Sequence, residues 1–129
     1  MSLPPVFTLL AAAPAVTAIV GASPARIYPG GVIPQAAVMP AIAWLVVSGV
    51  PENMLADRTV VDNQRVQIDC WATDFPGVMA LFEAVRTALE GDAYLVAMND
   101  PEGISSNTQF DPDTRRYRIS SDWSFWVSR

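Results

Sequence analysis

The sequence predicts an α+β fold: a mostly antiparallel sheet, one long amphipathic helix packed on a face of it, and a short N-terminal helical region. Three stretches predict it. Residues 65–72 alternate polar and apolar side chains, the period of a strand with one buried face. Val78, Leu81, Phe82, Val85 and Leu89 then recur at helical spacing. Residues 116–127 alternate again, in the longest such run of the chain. A half-buried strand that feeds a one-sided helix needs further strands, because the helix stripe must be covered.

In chain order, residues 6–20 are rich in Ala, Val, Leu and Ile. The first basic residue is Arg26, so the run lacks the basic n-region of a secretion signal. It is too short for a membrane span and is interrupted by Pro14. It reads as a helix from Val6 to about Ala12 and a second from Pro14 to Val20, closed by Gly21. An apolar pair like this docks either on its own domain or on a neighbouring subunit. Residues 22–39 hold Pro24, Pro29, Gly30, Gly31 and Pro34, an irregular connection with residues 26–28 extended. After Pro40, residues 41–48 are nearly all apolar and read as a central strand buried on both faces, ended by Gly49. Trp44 marks where its second face would meet a partner. Residues 50–63 read as a loop-rich crossing of mixed charge, with a short strand at 59–61.

In the strand at 65–72, Val66, Ile68, Cys70 and Ala72 point inward, and Arg65, Gln67, Asp69 and Trp71 outward. Thr73 or Asp74 can cap the following helix, and Pro76 fits its first turn. Glu83, Arg86 and Glu90 lie off the apolar stripe, and Gly91 is the expected stop. Residues 94–98 form another strand. Residues 99–114 hold turn formers at 100–103 and 111–113 around an extended 108–110, as in a long hairpin arm. In the last strand Tyr117, Ile119, Ser121, Trp123, Phe125 and Val127 share one face. Arg116, Arg118, Ser120, Asp122, Ser124 and Trp126 share the other. Trp126 is a large aromatic on the polar side. It is either covered by the N-terminal helix or part of a subunit contact, where tryptophan is over-represented.

A chain of 129 residues is most simply one domain, 1–129, with a real core. About half of it is apolar and 16% is charged, which excludes disorder. A net charge of −5 argues against general nucleic-acid binding. All eight basic residues are arginine, suited to bidentate pairing, although genomic base composition explains the bias equally well. The single cysteine rules out an internal disulfide, and Cys70 reads as a small core residue. Histidine is absent, which removes the commonest general base, the triads built on it and most zinc sites. There is no glycine-rich phosphate loop.

Taken together, the segments resemble the tail completion, or tail terminator, proteins of long-tailed bacteriophages. The resemblance covers almost the whole chain. It is carried by residues 26–29, Pro34-Gln35, Pro40-Ala41-Ile42 and Val47-Ser48-Gly49, and at the C-terminus by residues 116–118 and 122–127. Its most specific part is Val66-Gln67-Ile68-Asp69 followed by the helix with Glu83-Ala84-Val85-Arg86. The resemblance implies a small subunit that assembles as a ring, usually of six, on the last ring of the tail tube. Such a ring stops polymerisation and faces the neck of the DNA-filled head. It implies no catalysis, cofactor or metal. The implied partners are further copies of itself, the tail tube protein and a head-neck connector, with DNA passing through the lumen unbound. Six copies would carry −30, and an acidic channel would let DNA slide. The implied location is the head-proximal end of the virion tail, assembled in the host cytoplasm.

Head-to-tail contacts need two different patches per subunit. The candidates are Trp44, Arg58, Arg65, Asp69, Trp71, Arg116, Arg118 and Trp126. Arg65, Asp69, Arg116 and Arg118 are expected to pair between strands or between subunits. Residues 99–114 and 50–64 are expected to move more in an isolated subunit than in a ring. Two other readings stand beside this one. One is a head-side neck or stopper component. The other is a small-ligand or enzymatic domain using Asp57, Asp62 and Asp69 near Arg58 and Arg65.

Overall fold

The computed structural model describes residues 6–21, 25–33, 38–51, 61–90, 95–99, 108–112 and 115–128, with side chains except at 48–51, 61–63, 95–99, 108 and 126–128. The elements run α1 (Val6–Ala11), α2 (Pro14–Val20), β1 (Ile27–Pro29), β2 (Ala41–Pro51), β3 (Val61–Ala72), α3 (Phe75–Glu90), β4 (Leu95–Asn99), β5 (Thr108–Asp111) and β6 (Arg116–Ser128). The strands form one sheet in the order β1-β2-β3-β6-β4, with β5 also paired to β6. The β1–β2 pair is parallel, and the other four pairs are antiparallel. This is the α+β, mostly antiparallel architecture expected of the sequence.

Strand β6 is the axis of the sheet. Along one side it pairs with β3 from Val61↔Ser128 to Ala72↔Tyr117. Its other side is shared. β4 takes one half, from Leu95↔Trp126 to Asn99↔Asp122, and β5 takes the other, from Thr108↔Ile119 to Asp111↔Arg116. So β4 and β5 run collinearly, and the hairpin is β5–β6. The single long arm expected at 99–114 is corrected on this point: β6 is long enough for two short strands to follow one another along its edge. Residues 100–107, and with them most of that segment's expected mobility, lie outside the described residues. So do residues 52–60.

Strands β2 and β3 are longer than their patterns suggest. Beyond a register shift between Val46 and Ser48, pairing continues from Ser48↔Arg65 to Pro51↔Asp62. Gly49 therefore does not end β2; a bulge tolerates it, and its backbone still pairs with Gln64. Val61, expected at the end of a short strand, and residues 62–64, expected in a loop, belong to β3. Among the described side chains of β2, burial on both faces holds at Ala41, Ile42, Ala43 and Trp44. Val47 is 52% exposed.

The core lies between one sheet face and the helices. Val78, Leu81, Phe82, Val85 and Leu89 of α3 are all buried, the stripe that the spacing predicted. They meet Val66, Ile68, Cys70 and Ala72 of β3 and Ile119, Trp123 and Phe125 of β6. The helix starts beside Asp74, whose carbonyl accepts the Val78 N–H at 3.1 Å. One polar chain crosses this core. The Trp123 indole donates to Ser121 Oγ at 2.9 Å, and that hydroxyl donates to the Ile68 carbonyl at 3.1 Å. A buried N–H without such a partner would cost about 1–3 kcal/mol.

The two N-terminal helices dock on their own domain. Val6, Leu10, Val16 and Val20 are wholly buried in the same core. Pro14 starts α2 and Gly21 ends it, at φ +88°, which disfavours any side chain. Arg26 fixes this end to the sheet. Its Nη2 donates to the Ile19 carbonyl at 3.0 Å and its Nε to the Pro40 carbonyl at 2.9 Å. The first contact satisfies a last-turn carbonyl that the helix leaves open. After β1, Gly31 sits at φ +74°, and a Cβ there would lie 2.5 Å from Leu45 Cδ2.

Phe82→Ala should lower unfolding stability by about 3–5 kcal/mol, because it opens a cavity under the sheet. Glu83→Ala, one residue along on the exposed face, should stay within about 0.5 kcal/mol of wild type. Urea denaturation followed by circular dichroism measures both.

Candidate subunit interface

The sheet face away from the helices is chemically different. Antiparallel register stacks its side chains in rows across β2, β3, β6 and β5. One row is Ala41, Trp71, Arg118 and Gln109. The next is Ala43, Asp69 and Ser120. The third contains Leu45, Gln67 and Asp122, and the fourth contains Arg65 and Ser124.

The interactions run along and between these rows. Asp122 Oδ2 accepts a hydrogen bond from Arg65 Nε at 2.7 Å and another from Nη2. Asp122 raises the Arg65 pKa through that hydrogen bond and its charge. With side chains 55% and 30% exposed, this pair lies at the surface, where solvent screens its charge. Asp122 Oδ1 is buried without a partner among the described residues. Gln67 Nε2 donates to Asp69 Oδ1 at 3.1 Å. The Arg118 guanidinium lies over the Trp71 ring, 5.5 Å from its centroid, and Nη2 donates to Gln109 Oε1.

Two clefts open on this face. One, of about 350 Å³, is lined by Val47, Arg65, Gln67, Ser120, Ser121 and Asp122. The other, of about 310 Å³, is lined by Trp71, Gln109, Phe110, Asp111, Pro112 and Arg118. At the same end of the sheet, Phe75 meets Tyr117 edge-on at 6.0 Å, and Phe110 meets it at 4.8 Å. Phe75 is 41% exposed and Phe110 48%.

The predicted site residues divide accordingly. Trp71 and Arg118 come together, and Arg65 finds Asp122, as inter-strand pairing required. Asp69 points outward as expected, yet it is only 5% exposed, so its pairing stays within the subunit. Arg116 is half-buried, opposite Asp111 in register. Trp44 does not supply surface. It is 8% exposed and lies on the core side beside Ile42, because β2 alternates out of the phase that would turn it outward. Its Nε1 is buried without a partner among the described residues. Arg58 lies outside the described residues. Trp126 pairs by backbone with Asn63 and Leu95, and its side chain is outside the described set. Sequence reasoning placed Asp122 on this face without naming it as a contact residue, and missed Gln109; Phe110 and Phe75 gather around Tyr117 at the rim on the helix side. Counting back from the Asp111-Pro112 turn would have put Gln109 opposite Arg118 and Phe110 opposite Tyr117.

Of the alternative carboxylate site, Asp57, Arg58 and the side chain of Asp62 lie outside the described residues, and Asp69 accepts a hydrogen bond from Gln67. Among the described residues no group of three or more Cys, Asp or Glu is placed to hold a metal. None of their helices is long and apolar enough to cross a membrane.

Residues 4–128 match the family model described as "Tail completion protein gp17". The chain belongs to the tail completion protein gp17 family. It is thus a structural component of a phage tail, and its place is the virion. A chain of a solved structure titled "Virion of native gene transfer agent (GTA) particle" shares the fold, with a TM-score of 0.58 at 16% identity. That alignment covers 96% of this chain and 92% of the other. A search of curated proteins found no match.

Cys70 should not react as a nucleophile. It is buried on the core side of β3, and burial first, then the Asp69 charge, pushes its thiol pKa up from 9.0. A thiol reagent should modify it only on unfolding. Below pH 9 both states keep the thiol protonated; above it only the unfolded chain ionises. Stability should therefore fall as pH rises past 9, by up to about 1.4 kcal/mol per pH unit. Cys70→Ala should lack that loss, and denaturation at pH 8 and pH 10 compares the two.

Proposed function

We propose that this chain is a tail terminator. Copies of it, six by the family resemblance, close into a ring on the head-proximal end of the tail tube. The ring ends tube growth and offers its far face to the head-neck connector. It works by shape and makes or breaks no bonds. The observation that carries this reading is the family match over nearly the whole chain. The subunit geometry supports it. One sheet face is closed by helices and the other carries arginine, aspartate and tryptophan, so two copies can meet through unlike surfaces. That is what a head-to-tail ring requires, and what a self-complementary dimer does not.

In tail assembly without this protein, tubes should grow past their normal length and fail to join heads. Purified protein added during assembly should restore one tail length, measured by electron microscopy. Tails of normal length joined to heads in its absence would refute the proposal.

A further inference from the structure

We propose that the cleft beside Trp71 and Arg118 is a socket for an acidic side chain of the next copy in the ring. The inference rests on the ring reading and says which surface makes the contact. The guanidinium of Arg118 is already oriented. Trp71 supports it from below at 5.5 Å, and Gln109 holds Nη2 from the β5 side. Among the described residues its buried Nε has no hydrogen-bond partner. A guanidinium placed over an aromatic ring and tethered by Gln109 has little rotamer freedom left to lose on meeting a carboxylate. Phe110 and Pro112 complete an apolar wall, and Asp111 on the rim has a partner within the subunit.

Charge selects the occupant. Residues 109–118 contain three arginines and two aspartates, a balance of +1. The chain as a whole carries −5, so everything outside this segment carries −6. The Arg118 guanidinium of one copy therefore meets a surplus of carboxylates on any other copy. Arg65 is a weaker choice, because both of its hydrogen bonds go to Asp122 of its own sheet. In the cleft wall, half-exposed Phe110 beside Trp71 and Arg118 adds the aromatic-plus-arginine composition typical of binding hot spots. This end of the sheet also borders β5, which like β1 and β4 pairs on one side only among the described residues.

The test is native mass spectrometry and sedimentation of the full chain, free and on purified tail tubes. Arg118→Glu and Trp71→Ala should each weaken self-association by roughly tenfold or more, with unchanged circular dichroism and melting. Arg118→Lys should recover part of it, and the control Arg86→Ala, on the helix side, should associate like wild type. If folded Arg118→Glu assembles as wild type does, the socket is wrong and the ring stands. If it self-assembles normally but no longer caps tubes, the occupant is the tube protein and the proposal is overturned. If wild type forms no oligomer, free or on tubes, the ring reading fails and this inference falls with it.

Discussion

The structure depends on the pairing of β3 with β6, twelve residues long, and on the α3 stripe laid across it. Each strand alternates strictly, so one register places Val66, Ile68 and Cys70 beside Ile119 and Trp123 on one face. A slip of one residue would turn every one of those side chains into water. The same register then dictates the opposite face. Arg65, Gln67, Asp69 and Trp71 have to line up with Ser124, Asp122, Ser120 and Arg118. The core and the contact surface are two sides of a single constraint.

From that constraint the division of labour follows. The helices close the apolar side completely: α1 and α2 bury four residues wholly, and Arg26 ties their end to β2. The other side keeps charged and aromatic groups fixed on a rigid sheet, not on mobile loops. A sheet presents such groups with little entropy left to lose. The net charge of −5 adds long-range repulsion between any two copies of the chain.

Much of this was legible in the residue pattern. The stripe of α3, the inward set of β3, the odd face of β6 and the break at Pro14 with closure at Gly21 all stand where periodicity and turn chemistry put them. Periodicity is local, and each of these is a local property. The misses were matters of pairing. Whether residues 61–64 join a strand depends on β2 crossing its bulge, which no stretch of β3 encodes. Whether 99–111 folds as an arm or as two collinear strands depends on the length of β6. Trp44 looked like surface because a nearly continuous apolar run hides its phase. Asp69 looked exposed because alternation gives direction but not the crowding by neighbours. At the surface, Trp71 and Arg118 were readable as outward residues. Their stacking, and the role of Gln109 beside them, required the hairpin register.

The central claim is that copies of this subunit close into a collar at one end of the tail. Cryo-electron microscopy of the head-proximal end of mature tails measures that directly. The account predicts a closed ring of this fold between the last tube ring and the neck, each outer sheet face covered by the adjacent copy. Density for a lone copy there, or for this chain elsewhere in the particle, would contradict it.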